Sequence, residues 1–99
     1  YIAAKTGQLK ICTSLLTDGD EVVRKQATLG LADLHALAPV DIIQAAFRAF
    51  ADPSWKVRVA GIESLSRIGD RAAIERLREL SDDANHVVKQ AIRRTLAKF

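Results

Sequence analysis

Side chains that could bind a metal ion are few in this sequence, and they are scattered. A zinc or iron site needs ligands that converge on one point, and the nitrogen and sulfur candidates are Cys12, His35 and His86. They share no common spacing, and a single cysteine excludes both an internal disulfide and a cysteine cluster. We therefore predict no metal site and no cofactor.

Two carboxylates have a spacing that would suit an acid–base pair. Glu75 and Glu79 lie four residues apart, which places them on one face of a helix. Arg71, Arg76 and Arg78 lie at ion-pair spacings around them, as is typical of a solvated helix face. Gly-rich phosphate loops, Gly-x-Ser-x-Gly elbows and Cys-x-x-Cys motifs do not occur in the sequence. We predict that the chain is not an enzyme.

A group of basic residues lies near the C-terminus. Residues 84–99 contain no acidic residue, and their basic members are Lys89, Arg93, Arg94 and Lys98. A positive stripe on a helix can bind nucleic-acid phosphates, but no aromatic side chain is interleaved with it to stack on bases. A solvated face and a contact with a further repeat are the alternatives. We predict only weak, sequence-independent nucleic-acid binding if any.

The composition is that of one ordinary all-α domain. The 99 residues are 48% hydrophobic and 27% charged, with 5% aromatic residues and no Met. No apolar run approaches the roughly 20 residues that span a bilayer, so we expect a soluble chain without a membrane partner. The chain begins with Tyr1 and ends on an apolar position at Phe99, which we interpret as an excerpt of a longer polypeptide. The expected compartment is a reducing cytoplasm.

Three segments of the sequence align without a gap. They start 34 and 31 residues apart and read DGDEVVRKQATLGLADL, DPSWKVRVAGIESLSRI and DANHVVKQAIRRTLAKF. Five columns keep their chemistry: Asp18/Asp52/Asp83, Val23/Val57/Val88, Arg24/Arg58/Lys89, Leu31/Leu65/Leu96 and Leu34/Ile68/Phe99. Apolar or small residues recur 4, 8 and 11 positions after each Val, which indicates an amphipathic helix.

A second amphipathic stretch precedes each of these helices. Its apolar positions align as Leu9/Ile43/Ile74 and Cys12/Ala46/Leu77. Cys12 is therefore interpreted as a buried thiol that acts as a small apolar side chain. We predict that each following helix begins at the Asp of its segment, as the N-cap, with Pro53 at the first helical position of the middle copy.

The repeated unit is a pair of helices, which cannot bury its apolar faces alone. We predict one domain over residues 1–99, an α-solenoid of three antiparallel helix pairs with six helices and no strand. The repeats are expected at approximately 6–35, 40–69 and 71–99. Leu31, Leu65 and Leu96 should be buried in equivalent places.

The repeated pattern resembles a known family. Asp-Pro-x-x-x-Val-Arg-x-Ala-x-x-x-x-Leu, read from Asp52 and followed by Ile-Gly-Asp, is similar to HEAT repeats. The likeness is greatest to the short bacterial and archaeal type also found in phycobilisome-lyase-like proteins. It implies an armadillo-like α-solenoid whose second helices line the concave, partner-binding side. In this chain those helices are 20–34, 53–68 and 85–98.

The resemblance also implies a ladder of hydrogen bonds between adjacent repeats. In the family, the ladder is formed by the Asp at the start of each second helix and the basic residue six positions later. By position, its members here are Asp18, Arg24, Asp52, Arg58, Asp83 and Lys89. The third rung departs from the pattern, because Lys lacks the planar fork that holds a carboxylate at two points. A charged binding track is the alternative role for the same residues.

Trp55 is the most informative single residue. Its column holds Glu21 and His86 in the other copies, so the position tolerates charge and should face water. An exposed Trp is a common anchor of protein interfaces, which makes Trp55, Glu21 and His86 a candidate binding surface. The alternative is local packing of the ring over the turn at Pro53.

These features favour a protein-interaction scaffold with a protein partner. Nucleic-acid binding through the basic C-terminal helix is a second hypothesis. A third is an accessory HEAT region of a larger enzyme, either aminopeptidase-like or bilin lyase-like. Fold and function separate in repeat proteins, so the pattern alone does not choose among them.

Overall fold

The computed structural model describes residues 2–80 and 82–99, with side chains from residue 7 onward. It contains α1 (Ile2–Leu15), α2 (Glu21–Leu29), α3 (Pro39–Ala49), α4 (Trp55–Ile68), α5 (Arg71–Glu75) and α6 (His86–Lys98). Short 3₁₀ helices extend α2 and α5, at Gly30–Leu34 and Arg76–Leu80. The described ranges contain no β-strand, and the all-α prediction is confirmed.

The helices stack as pairs into a solenoid. Each first helix packs on the second helix that follows it: α1 on α2, α3 on α4 and α5 on α6. The turns within pairs are short, so the two helices of a pair run antiparallel. Helix α4 also packs against both α2 and α6, which makes the second helices one continuous layer. The predicted α-solenoid is confirmed.

The core runs through the stack without interruption. Its buried members come from all three pairs and include Leu31, Ile42, Leu65, Leu77 and Ile92. Leu31 and Leu65 are fully buried, whereas Leu96 packs against the core but is only half-buried. Leu31 lies in a 3₁₀ helix that packs on α1, α3 and α4, whereas the contacts of α6 are with α4, α5 and the 3₁₀ helix that follows α5. Among the helices of the described ranges, none combines the length and apolarity needed to cross a membrane.

The second helices begin later than predicted. Their N-caps are Asp20, Ser54 and Asn85, not Asp18, Asp52 and Asp83. Each Asp of the repeated column instead accepts a hydrogen bond from the backbone N–H two residues after it, which forms a turn ahead of the helix. Pro53 consequently lies in the turn and outside α4.

The helix predicted over 20–34 is α-helical only as far as Leu29 and continues as a 3₁₀ helix. The Ser64 hydroxyl of α4 donates a hydrogen bond to the carbonyl oxygen of Thr28. A carbonyl oxygen can accept two hydrogen bonds, so this bond ties the end of α2 to α4 in addition to the bonding within the helix.

Helices α3 and α4 approach closely at Gly61. A Cβ atom at this position would lie 3.0 Å from the Ala46 carbonyl oxygen, from Ala49 Cβ and from Phe50 Cε1. A Cβ this close would force its neighbours, one of them a backbone carbonyl, to shift by a few tenths of an ångström, so glycine permits the close approach of α3 and α4.

Candidate interaction surface

Arg24 links the first helix pair to the second. Its Nε donates to Asp52 Oδ2 at 2.8 Å and its Nη2 to Asp52 Oδ1 at 3.2 Å. Its Nη1 turns back to the carbonyl oxygens of Asp18 and Gly19, at 2.9 and 3.1 Å. One guanidinium therefore holds the turn before its own helix and the carboxylate of the next pair.

Arg58 repeats this arrangement between the second pair and the third. Its Nε donates to Asp83 Oδ2 at 2.9 Å, its Nη2 to Asp83 Oδ1 at 3.3 Å, and its Nη1 to the Asp52 carbonyl oxygen at 2.8 Å. Asp52 thus meets Arg24 through its carboxylate and Arg58 through its main chain. The structure brings these two Arg–Asp pairs of the expected ladder together.

The two outer ladder residues do not meet a partner of the expected kind. The Asp18 carboxylate accepts a hydrogen bond from the Asp20 backbone N–H, and no basic side chain pairs with it among the described residues. Lys89 forms no ion pair with a described residue. Among the described residues, the ladder has two rungs.

The surroundings of Asp52 favour its ionised form. Burial opposes ionisation, but the hydrogen bonds from Arg24 and the Ser54 N–H, with the positive charges of Arg24 and Arg58, outweigh it and hold the pKa of Asp52 below its ordinary value. The hydrogen bond to Asp52 is the main cause that raises the pKa of the Arg24 guanidinium. The rung is therefore an ion pair at neutral pH.

Three exposed side chains form a row at the start of the second helices. Glu21, Trp55 and His86 are the first residues of α2, α4 and α6, and all three are exposed. The exposed fraction of Trp55 is 38%. Lys56 Nζ lies 5.9 Å from the centroid of the Trp55 ring and 3.9 Å from Glu21 Oε1. The row presents an indole between an acid and an imidazole.

The predicted basic set does not share one surface. Arg94 and Lys98 line a groove of about 470 Å³ between α4 and α6, together with Arg67 of α4. Lys89 and Arg93 do not line this groove. Lys89 occupies the ladder position instead, so the four residues divide between at least two environments.

The carboxylates Glu75 and Glu79 are both exposed. The Arg78 Nε donates a hydrogen bond to Glu75 Oε1 on the surface, and the Arg76 guanidinium lies 4.2 Å from the centroid of the Phe47 ring. These contacts are those of a solvated helix face that packs through its arginines.

Cys12 is half-buried at the floor of a hollow between α1 and α2. Its Sγ donates a hydrogen bond to the Ala27 carbonyl oxygen at 3.1 Å, and burial raises the pKa of the thiol. A raised pKa leaves little thiolate at neutral pH, so the environment does not activate Cys12 as a nucleophile. His35 and His86 lie elsewhere, and within the described ranges no three His, Cys, Asp or Glu side chains are placed to hold a metal ion.

The same hollow, of about 400 Å³, exposes the apolar side chains of Ile11, Leu15 and Val22. The repeat alignment explains it. The residues equivalent to Ile11 and Leu15 in the second pair are Ala45 and Ala49, and both are buried. The second pair uses this face to pack against the first, so the hollow is the stacking face of a helix pair and not a ligand pocket.

Arg67 is the surface residue that sequence reasoning missed. Its Nη2 donates to Asp33 Oδ1 at 3.0 Å, which joins α4 to the 3₁₀ helix that extends α2. The repeat alignment contains the signal, because Asp33, Arg67 and Lys98 occupy one column that changes sign along the chain. Only the neighbouring helices show that members of this column face each other.

Comparison with protein-family models matches residues 9–97 with HEAT repeats. Curated proteins and solved structures yielded no match. The family match does not distinguish subtypes, so the likeness to the short bacterial and archaeal, phycobilisome-lyase-like type stays a prediction. With helix pairs stacked through Arg–Asp contacts and a match over nearly its whole length, the chain belongs to the HEAT repeat family.

Proposed function

We propose that this chain is a non-catalytic protein-interaction scaffold of the cytoplasm, one array with repeats at approximately 6–35, 40–69 and 71–99. Repeats of this family commonly hold protein partners and are generally non-catalytic. The observation that carries the proposal is the exposed row of Glu21, Trp55 and His86. Trp is the residue type most enriched among interface residues that dominate affinity.

The row suits a partner whose surface has a pocket for the Trp55 ring and polar groups around that pocket. Trp55 offers a rigid ring that loses little conformational entropy on binding. Glu21 and His86 flank it with groups that fix the orientation of a partner by charge and hydrogen bonds. The Arg24–Asp52 and Arg58–Asp83 pairs hold the three helices at constant spacing, so the surface is organised before the partner arrives.

The test is capture of protein from a nuclease-treated extract of the source organism. Three immobilised chains are compared: wild type, Trp55→Ala and the control Lys10→Ala. Lys10 is exposed on α1, away from the row. Loss of an aromatic anchor that contributes at least about 2 kcal/mol should weaken binding of the identified partner roughly 30-fold. Lys10→Ala should retain it. Capture that survives Trp55→Ala would contradict the proposal.

Nucleic-acid binding through α6 makes the opposite prediction in this experiment. Captured material would then depend on nucleic acid, would be lost on nuclease treatment and would fall steeply with salt. An accessory role beside an aminopeptidase-like or bilin lyase-like domain concerns the neighbours of the array in a polypeptide. It predicts the same dependence on Trp55.

A further inference from the structure

The groove between α4 and α6 combines an apolar floor with a basic rim. Ile62 and Thr95 are buried on the floor. Arg67, Arg94 and Lys98 stand on the rim with a single acid, Glu63. No ion pair of Glu63, Arg94 or Lys98 with any described residue occurs in the structure. The rim therefore carries an excess of unpaired positive charge.

The junction between the first two repeats shows how a charged pair bridges neighbouring second helices. There Asp33, in the 3₁₀ helix that extends α2, faces Arg67 of α4, and the two side chains form an ion pair at 3.0 Å. Arg67 also reaches the Leu29 carbonyl oxygen, at 3.4 Å. A carboxylate on one helix and a guanidinium on the next thus bridge the two second helices.

One repeat further along, the same two positions hold Arg67 and Lys98. Both are cations, so they repel instead of bridging. The α4–α6 groove consequently has the basic half of the α2–α4 bridge on both walls and lacks the carboxylate that Asp33 supplies there.

We infer that this groove binds an acidic peptide segment of a protein partner, with a Glu or Asp carboxylate seated between Arg67 and Lys98. The inference rests on the proposed scaffold function and specifies its partner. The peptide carboxylate does what Asp33 does for Arg67 at the preceding junction, and Arg94 contacts a second acid. A small apolar side chain of the peptide covers the floor at Ile62 and Thr95.

The shape of the groove favours a peptide over a nucleic acid. No aromatic side chain of the described residues lines it, so bases find no stacking surface there. Glu63 on the rim repels a continuous chain of phosphates but tolerates a peptide whose acids are spaced. Burial of an apolar side chain on the floor stabilises a bound peptide, and a phosphate backbone has no such group.

The experiment measures fluorescence anisotropy of a labelled twelve-residue peptide, Glu-Leu-Ala-Glu repeated three times. The controls are its Gln-for-Glu analogue and a labelled twelve-nucleotide single-stranded DNA. Wild type is compared with Arg94→Glu/Lys98→Glu and with Lys10→Glu/Arg71→Glu, which changes net charge equally on exposed sites outside the groove. Urea midpoints and circular dichroism establish that all three chains fold.

We expect the Glu peptide to bind at least tenfold more tightly than the Gln peptide and than the DNA. Arg94→Glu/Lys98→Glu should weaken it at least tenfold, and the control variant less than threefold. Amide chemical shifts on adding the peptide should move in residues 62–67 and 91–98.

Equal binding of the Glu and Gln peptides, an equal loss in the control variant or tighter binding of the DNA would overturn the inference. If the groove fails in any of these ways while capture of a protein still depends on Trp55, the scaffold function stands and only the groove assignment falls. If nuclease abolishes capture and the DNA binds in the groove, both fail together.

Discussion

Replacing Arg58 by Ala removes the side chain that joins the second helix pair to the third. Its guanidinium makes two hydrogen bonds to the Asp83 carboxylate and two to the carbonyl oxygens of Asp52 and Pro53. The side chains of Arg58 and Asp83 are each 17% exposed, so water restores these bonds only in part. The variant leaves a largely buried carboxylate without its cation.

The expected loss lies between two known limits. Breaking a fully buried ion pair costs about 3–5 kcal/mol, and an exposed pair contributes only about 0–1 kcal/mol. With two-point contact and slight exposure, Arg58→Ala should lower the free energy of unfolding by about 2–3 kcal/mol. For a domain of this size, that corresponds to a fall in Tm of roughly 8–24 °C.

Arg67→Ala is the matched control, because Arg67 lies on the same helix and also pairs with an Asp of a neighbouring pair. Its side chain is 56% exposed and that of Asp33 is 66% exposed, so the loss should stay within about 0–1 kcal/mol. Arg58→Lys keeps the charge but not the fork and should fall between the two. Urea unfolding followed by circular dichroism at 222 nm measures all three.

The difference in unfolding free energy between Arg58→Ala and Arg67→Ala tests whether the Arg–Asp rungs stabilise the stack. If Arg58→Ala and Arg67→Ala lose the same free energy to within about 0.5 kcal/mol, the Arg–Asp rungs do not hold the stack together. An equal loss for Arg58→Lys and Arg58→Ala would show that two-point geometry is decisive and charge alone contributes nothing.

Asp52, Gly61 and Trp55 each give a further prediction. The pKa of Asp52 is lowered in the folded state, so its contribution to stability is complete above about pH 4 and is lost as pH falls further. Asp52→Asn should therefore reduce the loss of unfolding free energy at acidic pH, as measured by urea unfolding. Gly61→Ala should destabilise the fold by about 1–3 kcal/mol, because the added Cβ meets Ala46 and Ala49. Gly7→Ala lies in open space on α1 and should stabilise it by about 0.5–1 kcal/mol. Thermal melts measure both. Trp55 fluorescence should be quenched by iodide, and Trp55→Ala should cost well under the roughly 3–5 kcal/mol of a core Trp.

Each of these has a contrary outcome. An acid limb that Asp52→Asn leaves unchanged would mean that other carboxylates govern acid unfolding. Equal stabilisation by the two Gly-to-Ala changes would show that α3 and α4 have room at Gly61. Blue-shifted emission that iodide does not quench, with a large stability loss in Trp55→Ala, would place the indole in the core.

Much of the fold could be predicted because it is written in local spacing. The recurrence of Val, Leu and Asp at fixed intervals within each segment depends only on the pitch of an α-helix, and the 34- and 31-residue periods require pairs that stack. The six helices and the burial of Leu31 and Leu65 followed from this pattern. Cap positions did not, because each Asp of the repeated column closes a turn with the backbone N–H two residues after it, and that later residue becomes the cap.

Which residues form the candidate surface depends on which side chains face each other across the spaces between neighbouring helices. The sequence by itself placed Trp55 in a column that tolerates charge and drew attention to Arg94 and Lys98. Tertiary structure alone showed that Lys98 faces Arg67 in a groove, whereas Arg67 bridges to Asp33 on its other side. Spacing along one helix determines which residues share a face, but the rotation and offset between neighbouring pairs determine which faces meet, and those are set by packing of the whole core.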